Sequence, residues 1–461
     1  METELTRPSY RALTRFFLPL VVISFSQTFT YPLVASVISH GPLGGLEYEA
    51  YVIGNQVVNF LSSFGFSLIT TGIVFATTRA SLRNFALLIV LVTGTTTLCQ
   101  LIASLPAMEN LVFGKILAVD DPELRHIARH SILACIPVRI SFDIRNAWTA
   151  HLFRNKRSDL ANVATLVRVA LAVLLSVTFV RVGLVGYLWG AVAMTLPSFV
   201  ETAISWWYAR PFVAALPTES PDGQSPASIL RLLHFTIPLS LGSVLMTATA
   251  FIATYFYSYS SDPERYRLIH YVTYGLAVAF FAAALKFQTV AVVFAKSRPA
   301  ARRVAAFVLV SSASLGAFLL AASFVKPFAH WYFCVFQKIP PDALSLATAA
   351  LTVSAFATIL YGLRGFAEGL AAVRLTPRAV LLGQLTYVLV FAGAFALCTR
   401  VMIGRDHLWG MTAITVATAL SATATYVASR LLGVSAAGKC ERSRRRSVAT
   451  PPLPAGRVRT G

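Results

Sequence analysis

No other feature restricts the fold of this chain as strongly as its series of apolar windows of membrane-spanning length. About 20 apolar residues cross the hydrocarbon core of a bilayer. Windows of that kind occur twelve times, at 14–39, 48–76, 84–105, 126–153, 160–180, 184–208, 229–258, 268–295, 304–325, 343–372, 377–399 and 407–432. In lipid a backbone must satisfy its own polar groups, so each window is expected to be a helix. The predicted fold class is an all-α polytopic membrane protein. Only Arg181, Val182 and Gly183 separate the fifth window from the sixth. The first window is read as a span, because METELTRPSYRALTRF has no cleavage site of a removable signal peptide.

Composition agrees and excludes other classes. The chain is 56% hydrophobic and 13% charged, against about 25% charged in soluble proteins. A net charge of +20 would suit nucleic acid, but the basic residues sit in short clusters between spans. With the amino terminus in the cytoplasm, 24 Lys/Arg lie inside, nine lie in the opposite loops and six lie within spans. That bias follows the positive-inside rule and predicts an inner (plasma) membrane protein with both termini cytoplasmic. The five cysteines are scattered without metal-ligand spacing, no GxxxxGK[ST] phosphate loop occurs, and no cofactor or metal is expected.

The chain also repeats itself. RFFLPL (15–20) matches HFTIPL (234–239), with Pro19 and Pro238 at an offset of 219. IVFATTRASLR (73–83) matches VVFAKSRPAAR (292–302), and IRNAWTAHL matches LRGFAEGLA, pairing Arg145 with Arg364 at the same offset. Six spans per half is an even number, so both halves insert the same way up, as in parallel-repeat transporters. The expected units are an N-terminal segment (1–13), an N-lobe (14–208), a Pro/Ser-rich cytoplasmic linker (209–228), a C-lobe (229–432) and a basic disordered tail (433–461).

Charge inside the spans supplies the candidate site. The window from His126 to Phe153 holds Arg129, Arg139, Asp143 and Arg145. Charges at mid-membrane depth are costly unless they face protein or a water-filled cavity. Arg139 and Asp143 are spaced i, i+4 and can pair, as can Arg364 and Glu368. Arg168 and Lys286 lie in other spans. Six intramembrane cations face Asp143, Glu201 and Glu368, which leaves guanidiniums for a carboxylate or phosphate. Gln27 belongs to a polar stripe on the first span, and Asn55 and Asn59 to a longer one on the second; these are read as cleft lining, the alternative being interhelical hydrogen bonding. The expected substrate-binding set is therefore Gln27, Asn55, Asn59, Arg139, Asp143, Arg145, Arg168, Lys286, Arg364 and Glu368. His126 and His130 are spaced to share a metal, but no third ligand is apparent and no enzyme activity is expected.

With RFFLPL, GIVFATTR, VDDPELRHIARHSILACIP, FRNKRSDLANVATLVRVAL and GLRGFAEGLAAVRLTPRAVL in view, the chain resembles the progressive ankylosis protein family over residues 12–433. That family lies within the multidrug/oligosaccharidyl-lipid/polysaccharide (MOP) exporter superfamily. The resemblance implies twelve helices in two six-helix lobes, as in the multidrug and toxic compound extrusion (MATE) transporters. It also implies export of an organic anion such as citrate, pyrophosphate or a nucleotide. The first span, RFFLPLVVISFSQTFTYPLVASVIS, has no acid to take a proton or sodium ion, unlike cation-coupled drug exporters. The partners implied are the lipid bilayer, an anionic small-molecule or lipid-phosphate substrate and a coupling ion, with no nucleic acid. A flippase for a phosphate-linked lipid or polysaccharide precursor and a MATE-type drug antiporter are the alternatives.

Overall fold

The computed structural model describes residues 8–117, 119, 121–218, 226–337 and 339–448, without the side chains of 27–33, 45, 264, 336 and 433–448. Twelve long helical segments occupy the twelve expected windows. They are α1 (Tyr10–Ser39), α2 (Gly45–Ser62, continued through Ser63–Ser67 and Leu68–Phe75), α3 (Arg79–Ala103), α4 (Pro122–Arg154), α5 (Ser158–Val182) and α6 (Tyr187–Ala214). The second half contains α7 (Ile229–Thr247 with Thr249–Tyr257), α8 (Pro263–Leu285 with Phe287–Phe294), α9 (Arg298–Phe324), α10 (Leu344–Val373), α11 (Pro377–Val401) and α12 (Trp409–Val448). Short helical segments at Pro106–Ile116 and Lys326–Phe336 precede α4 and α10 at matching places in the two halves.

Three boundaries differ from the sequence reading. Helix α1 begins at Tyr10 because Ser9 caps it, accepting the Ala12 N–H at 3.2 Å. Helix α6 runs to Ala214, through Pro211 and into the expected linker; residues 219–225 of that linker lie outside the described residues. Helix α12 continues to Val448, where disorder was expected, through a stretch holding the helix formers Ala436, Ala437, Lys439, Glu441 and Arg442. Residues 449–461 lie outside the described residues.

The offset of 219 seen in three sequence blocks recurs in the helix ends. Helices α3 and α9 begin at Arg79 and Arg298, and α5 and α11 span Ser158–Val182 and Pro377–Val401. The last piece of α2, Leu68–Phe75, corresponds residue for residue to the last piece of α8, Phe287–Phe294. Capping hydroxyls repeat as well: Ser9 and Ser228 accept the N–H three residues on, as do Thr78 and Ser297. Even the turn strain repeats, with left-handed backbone at Lys156 (φ 59°) and Leu375 (φ 55°). The tight turn between α5 and α6 is closed by Gly183 at φ 77°, an αL cap for which glycine has no Cβ penalty.

Among the described residues, nine of these segments are long and apolar enough to cross a membrane; α1, α4 and α6 are not among them. For α4 the reason is its charge content, and those charges are directed onto neighbouring helices. The outward faces carry bare apolar side chains instead: Val90 and Leu98 on α3, Leu174 on α5, Val310 and Phe318 on α9, Leu389 and Leu397 on α11. In water such a belt would be an aggregation surface; in a bilayer it is the solvent-compatible one. The molecule has a multi-pass membrane protein fold.

The two six-helix bundles meet along α1, α2, α7 and α8. On the half where α1 and α7 begin they are sealed by rings. Phe17 stacks on Phe287 at 4.1 Å, Phe16 meets Phe294 at 5.3 Å and Phe75 meets Phe235 at 5.1 Å. Deeper in, Ser67 shares a hydrogen bond with Ser240 (2.7 Å) and Thr71 with Thr236 (3.0 Å).

Candidate central cleft

Beyond that seal the bundles part around a cleft of 580 Å³. Its N-lobe wall is the stripe on α2, with Gln56, Asn59, Ser67 and Thr70. Its C-lobe wall is richer: Ser243 and Thr247 on α7, Tyr271, Tyr274 and Gln288 on α8, Tyr361, Arg364 and Glu368 on α10, and Gln384 and Tyr387 on α11. The helix breaks make this wall. Helix α10 seats Gly365 and Gly369 against the α8 backbone around Leu285 and Gln288, where an added Cβ would lie 2.9 and 2.6 Å from a carbonyl oxygen. This close small-residue packing brings Arg364 and Glu368 up to the break.

Arg364 is the charged centre of the cleft. Its Nε donates to Glu368 Oε1 at 2.9 Å, and its guanidinium lies over the Tyr387 ring at 4.8 Å. Tyr387 and Tyr361 share a hydrogen bond between their hydroxyls at 3.2 Å. Arg364 is only 3% exposed, and its buried Nη1 has no hydrogen-bond partner among the described residues. The expected i, i+4 pairing of Arg364 with Glu368 is thus made, and it leaves a donor over.

The other predicted residues separate into groups. Asn59 lines the cleft, and its Oδ1 accepts from Arg139 Nη2 behind it. Arg139 and Asp143 form no ion pair, contrary to the spacing argument: Asp143 instead accepts from Thr93 Oγ1 at 3.0 Å. Its carboxylate presses on Gly65, where a Cβ would come within 2.5 Å of Oδ1. The i, i+4 rule gives proximity, but partners on α2 and α3 lie closer to each side chain than they do to one another. Arg145 and Arg168 were expected to be open to a solute. Both hold Glu201 of α6 at 3.0 Å, and Thr165 donates to its second oxygen at 2.6 Å. The Phe142 ring lies beneath the Arg139, Arg145 and Arg168 guanidiniums, at 4.7 Å from that of Arg145.

Arg139, Asp143, Arg145, Arg168 and Glu201 form a largely buried N-lobe network outside the cleft lining, which it meets at Asn59. Lys286 lies at the break between the two parts of α8, beside the lining residues Leu285 and Gln288, and makes no ion pair among the described residues. Asn55 is not part of the cleft lining, and the Gln27 side chain lies outside the described residues. Arg129 pairs with Glu109 at 2.9 Å near the start of α4. Among the described residues no group of His, Cys, Asp and Glu could hold a metal ion.

Sequence reasoning missed most of the C-lobe wall. Tyr271, Tyr274, Tyr361, Tyr387 and Gln384 read as ordinary span residues. The repeat held a signal: Gln384 and Tyr387 lie 219 residues after Thr165 and Arg168, so the positions that serve the N-lobe network line the cleft in the C-lobe.

No family model matches the chain, and no curated protein matches it. Solved structures do. The Vibrio cholerae MATE transporter VcmN in its bent form superposes with a TM-score of 0.68 at 16% identity, over 92% of this chain and 97% of that one. An outward-facing multidrug resistance MATE transporter of the MOP superfamily gives 0.67 at 16%, over 94% and 98%. A MOP superfamily transporter from Pyrococcus furiosus, described as having a binding pocket of reverse polarity, gives 0.69 at 15%, over 94% and 97%. At such identities the likeness is one of fold, and the fold of this chain is that of the MATE transporters, twelve helices in two six-helix repeats.

Proposed function

We propose that the protein is a secondary transporter that exports an anionic small molecule by alternating access through the central cleft. The observation that carries this reading is Arg364: a buried guanidinium in the cleft wall, backed by Tyr387, with Nη1 unpartnered among the described residues. A carboxylate or phosphate oxygen satisfies that donor with a charge-assisted hydrogen bond. Arg139 and Lys286, which have no acid partner among the described ion pairs, add positive potential near the cleft. The substrate class is an organic acid, pyrophosphate or a nucleotide-like anion. The reverse polarity ascribed to the Pyrococcus furiosus neighbour is in keeping with a member of this fold that handles something other than cationic drugs.

The positive-inside bias places both termini in the cytoplasm, so the aromatic seal closes the inner side and the cleft opens outward. Export then requires the lobes, residues 14–208 and 229–432, to rock so that the seal opens while the outer side closes. The progressive ankylosis-like assignment belongs to this reading. A drug antiporter is the second one, favoured by Glu368 and four tyrosines in the same wall.

The test is efflux from vesicles loaded with citrate, pyrophosphate or ATP. Arg364→Gln should reduce anion efflux by about 10- to 100-fold, the weight of one charged hydrogen bond, while Arg364→Lys retains part of it. If no anion moves but a cationic dye does, the drug-antiporter reading replaces this one; movement of a labelled phospholipid replaces it with the flippase.

A further inference from the structure

A second cavity, of 390 Å³, lies away from the cleft where the start of α5 meets the end of α6. Arg157, Leu160, Trp207, Arg210 and Phe212 line it. We propose that it is a binding site for the headgroup of an anionic phospholipid, and that it is independent of the transported substrate.

Charge comes first. Arg157 is held by Asp159 through a hydrogen-bonded pair, with Nη2 at 2.9 Å from Oδ2, and the two neutralise each other. Arg210 makes no ion pair among the described residues. Its guanidinium lies within cation–π distance of two indoles, 5.0 Å from the Trp206 ring centre and 5.6 Å from that of Trp207. The rings favour a cation at this position, and its planar fork of N–H donors has no carboxylate partner among the described ion pairs, which suits a phosphate diester. The pocket therefore carries one net positive charge, complementary to a headgroup of one net negative charge.

Position comes second. The site lies at helix ends, where apolar spans meet polar loops and where Trp and Tyr gather in membrane proteins. Trp206 and Trp207 are 44% and 64% exposed. Below them the exposed face of α6 continues as Phe199 and Leu196, and that of α5 as Val163 and Val167. An acyl chain can follow this stripe from the pocket into the hydrocarbon region. A soluble phosphate would gain nothing from the stripe, which is why the occupant is a lipid.

The test uses the purified full-length protein in neutral-detergent micelles, titrated with phosphatidylglycerol or phosphatidylcholine brominated on the acyl chains, which quench nearby tryptophan. Phosphatidylglycerol should quench saturably and at lower concentration than phosphatidylcholine, and Arg210→Gln should weaken that half-saturation about fivefold, the share of one basic residue at a lipid surface. Because Arg210 is exposed, an unchanged melting temperature verifies that the variant is folded. Trp206→Phe/Trp207→Phe should remove the phosphatidylglycerol-specific quenching. Equal quenching by the two lipids, or a wild-type curve retained by Arg210→Gln, overturns the site. Inorganic phosphate at millimolar concentration displacing the lipid completely would also overturn it, by assigning the pocket to a soluble anion.

Discussion

Replacing Glu201 with glutamine should destabilise the N-lobe more than replacing either arginine that it holds. Glu201 is 1% exposed and anchors Arg145 and Arg168 at 3.0 Å each, with Thr165 on its other oxygen. Glu201→Gln keeps the shape but deprives two buried guanidiniums of their shared counter-charge, and breaking a buried pair in this way costs about 3–5 kcal/mol. Arg145→Gln leaves the Arg168–Glu201 contact standing and loses one charged hydrogen bond, about 1.5–3 kcal/mol. For a unit the size of one lobe, 1 kcal/mol corresponds to about 2–4 °C of melting temperature. Glu201→Gln should therefore melt roughly 10 °C lower, and Arg145→Gln by about half as much. Tryptophan-monitored melting in detergent measures both. The reasoning is refuted if Glu201→Gln melts within about 2 °C of wild type, or if Arg145→Gln is the more damaging. If Arg145→Gln instead abolishes efflux at unchanged stability, Arg145 serves the substrate and the triad is not structural.

Further outcomes follow from the seal and the packing. Cysteines placed at Ser67 and Ser240, whose hydroxyl oxygens are 2.7 Å apart, should form a disulfide under oxidation that stops transport and releases it on reduction; transport continuing at full rate with the bond formed would mean that the lobes need not separate there. Gly65→Ala should lower stability by about 1–3 kcal/mol, because its Cβ meets the Asp143 carboxylate at 2.5 Å, and Gly65→Ala/Asp143→Ala should recover much of the loss in the same melt. Thr71→Val should weaken the seal by only about 0.6 kcal/mol, the mean of interhelical hydrogen bonds in membranes, visible as a modest change in cysteine accessibility across the lobe interface and not as unfolding.

The legibility of the site was uneven, for a physical reason. Arg364, Glu368 and Asn59 could be read from the chain because a charge or amide inside an apolar window is conspicuous in any neighbourhood. Lys286 was found as an intramembrane cation, though not its place at a helix break. The tyrosines of the C-lobe wall could not be distinguished from core aromatics, since Tyr387 facing a cleft and Phe391 facing the core occur in the same kind of sequence.

The sequence by itself determined the number of helices, their order, the 219-residue repeat and the parallel arrangement of the halves. These depend on local quantities: apolar run length, capping residues such as Ser9 and Thr78, and turn residues such as Gly183. Partner choice was decided only in the tertiary structure. Helical spacing put Arg139 beside Asp143, yet each bonds to another helix, and Arg145 and Arg168 turned out to share an acid, Glu201, that lies 33 or more residues further along the chain. An ion pair in a low-dielectric interior goes to the partner with the best geometry and hydrogen bonding, and that geometry exists only once the helices have packed.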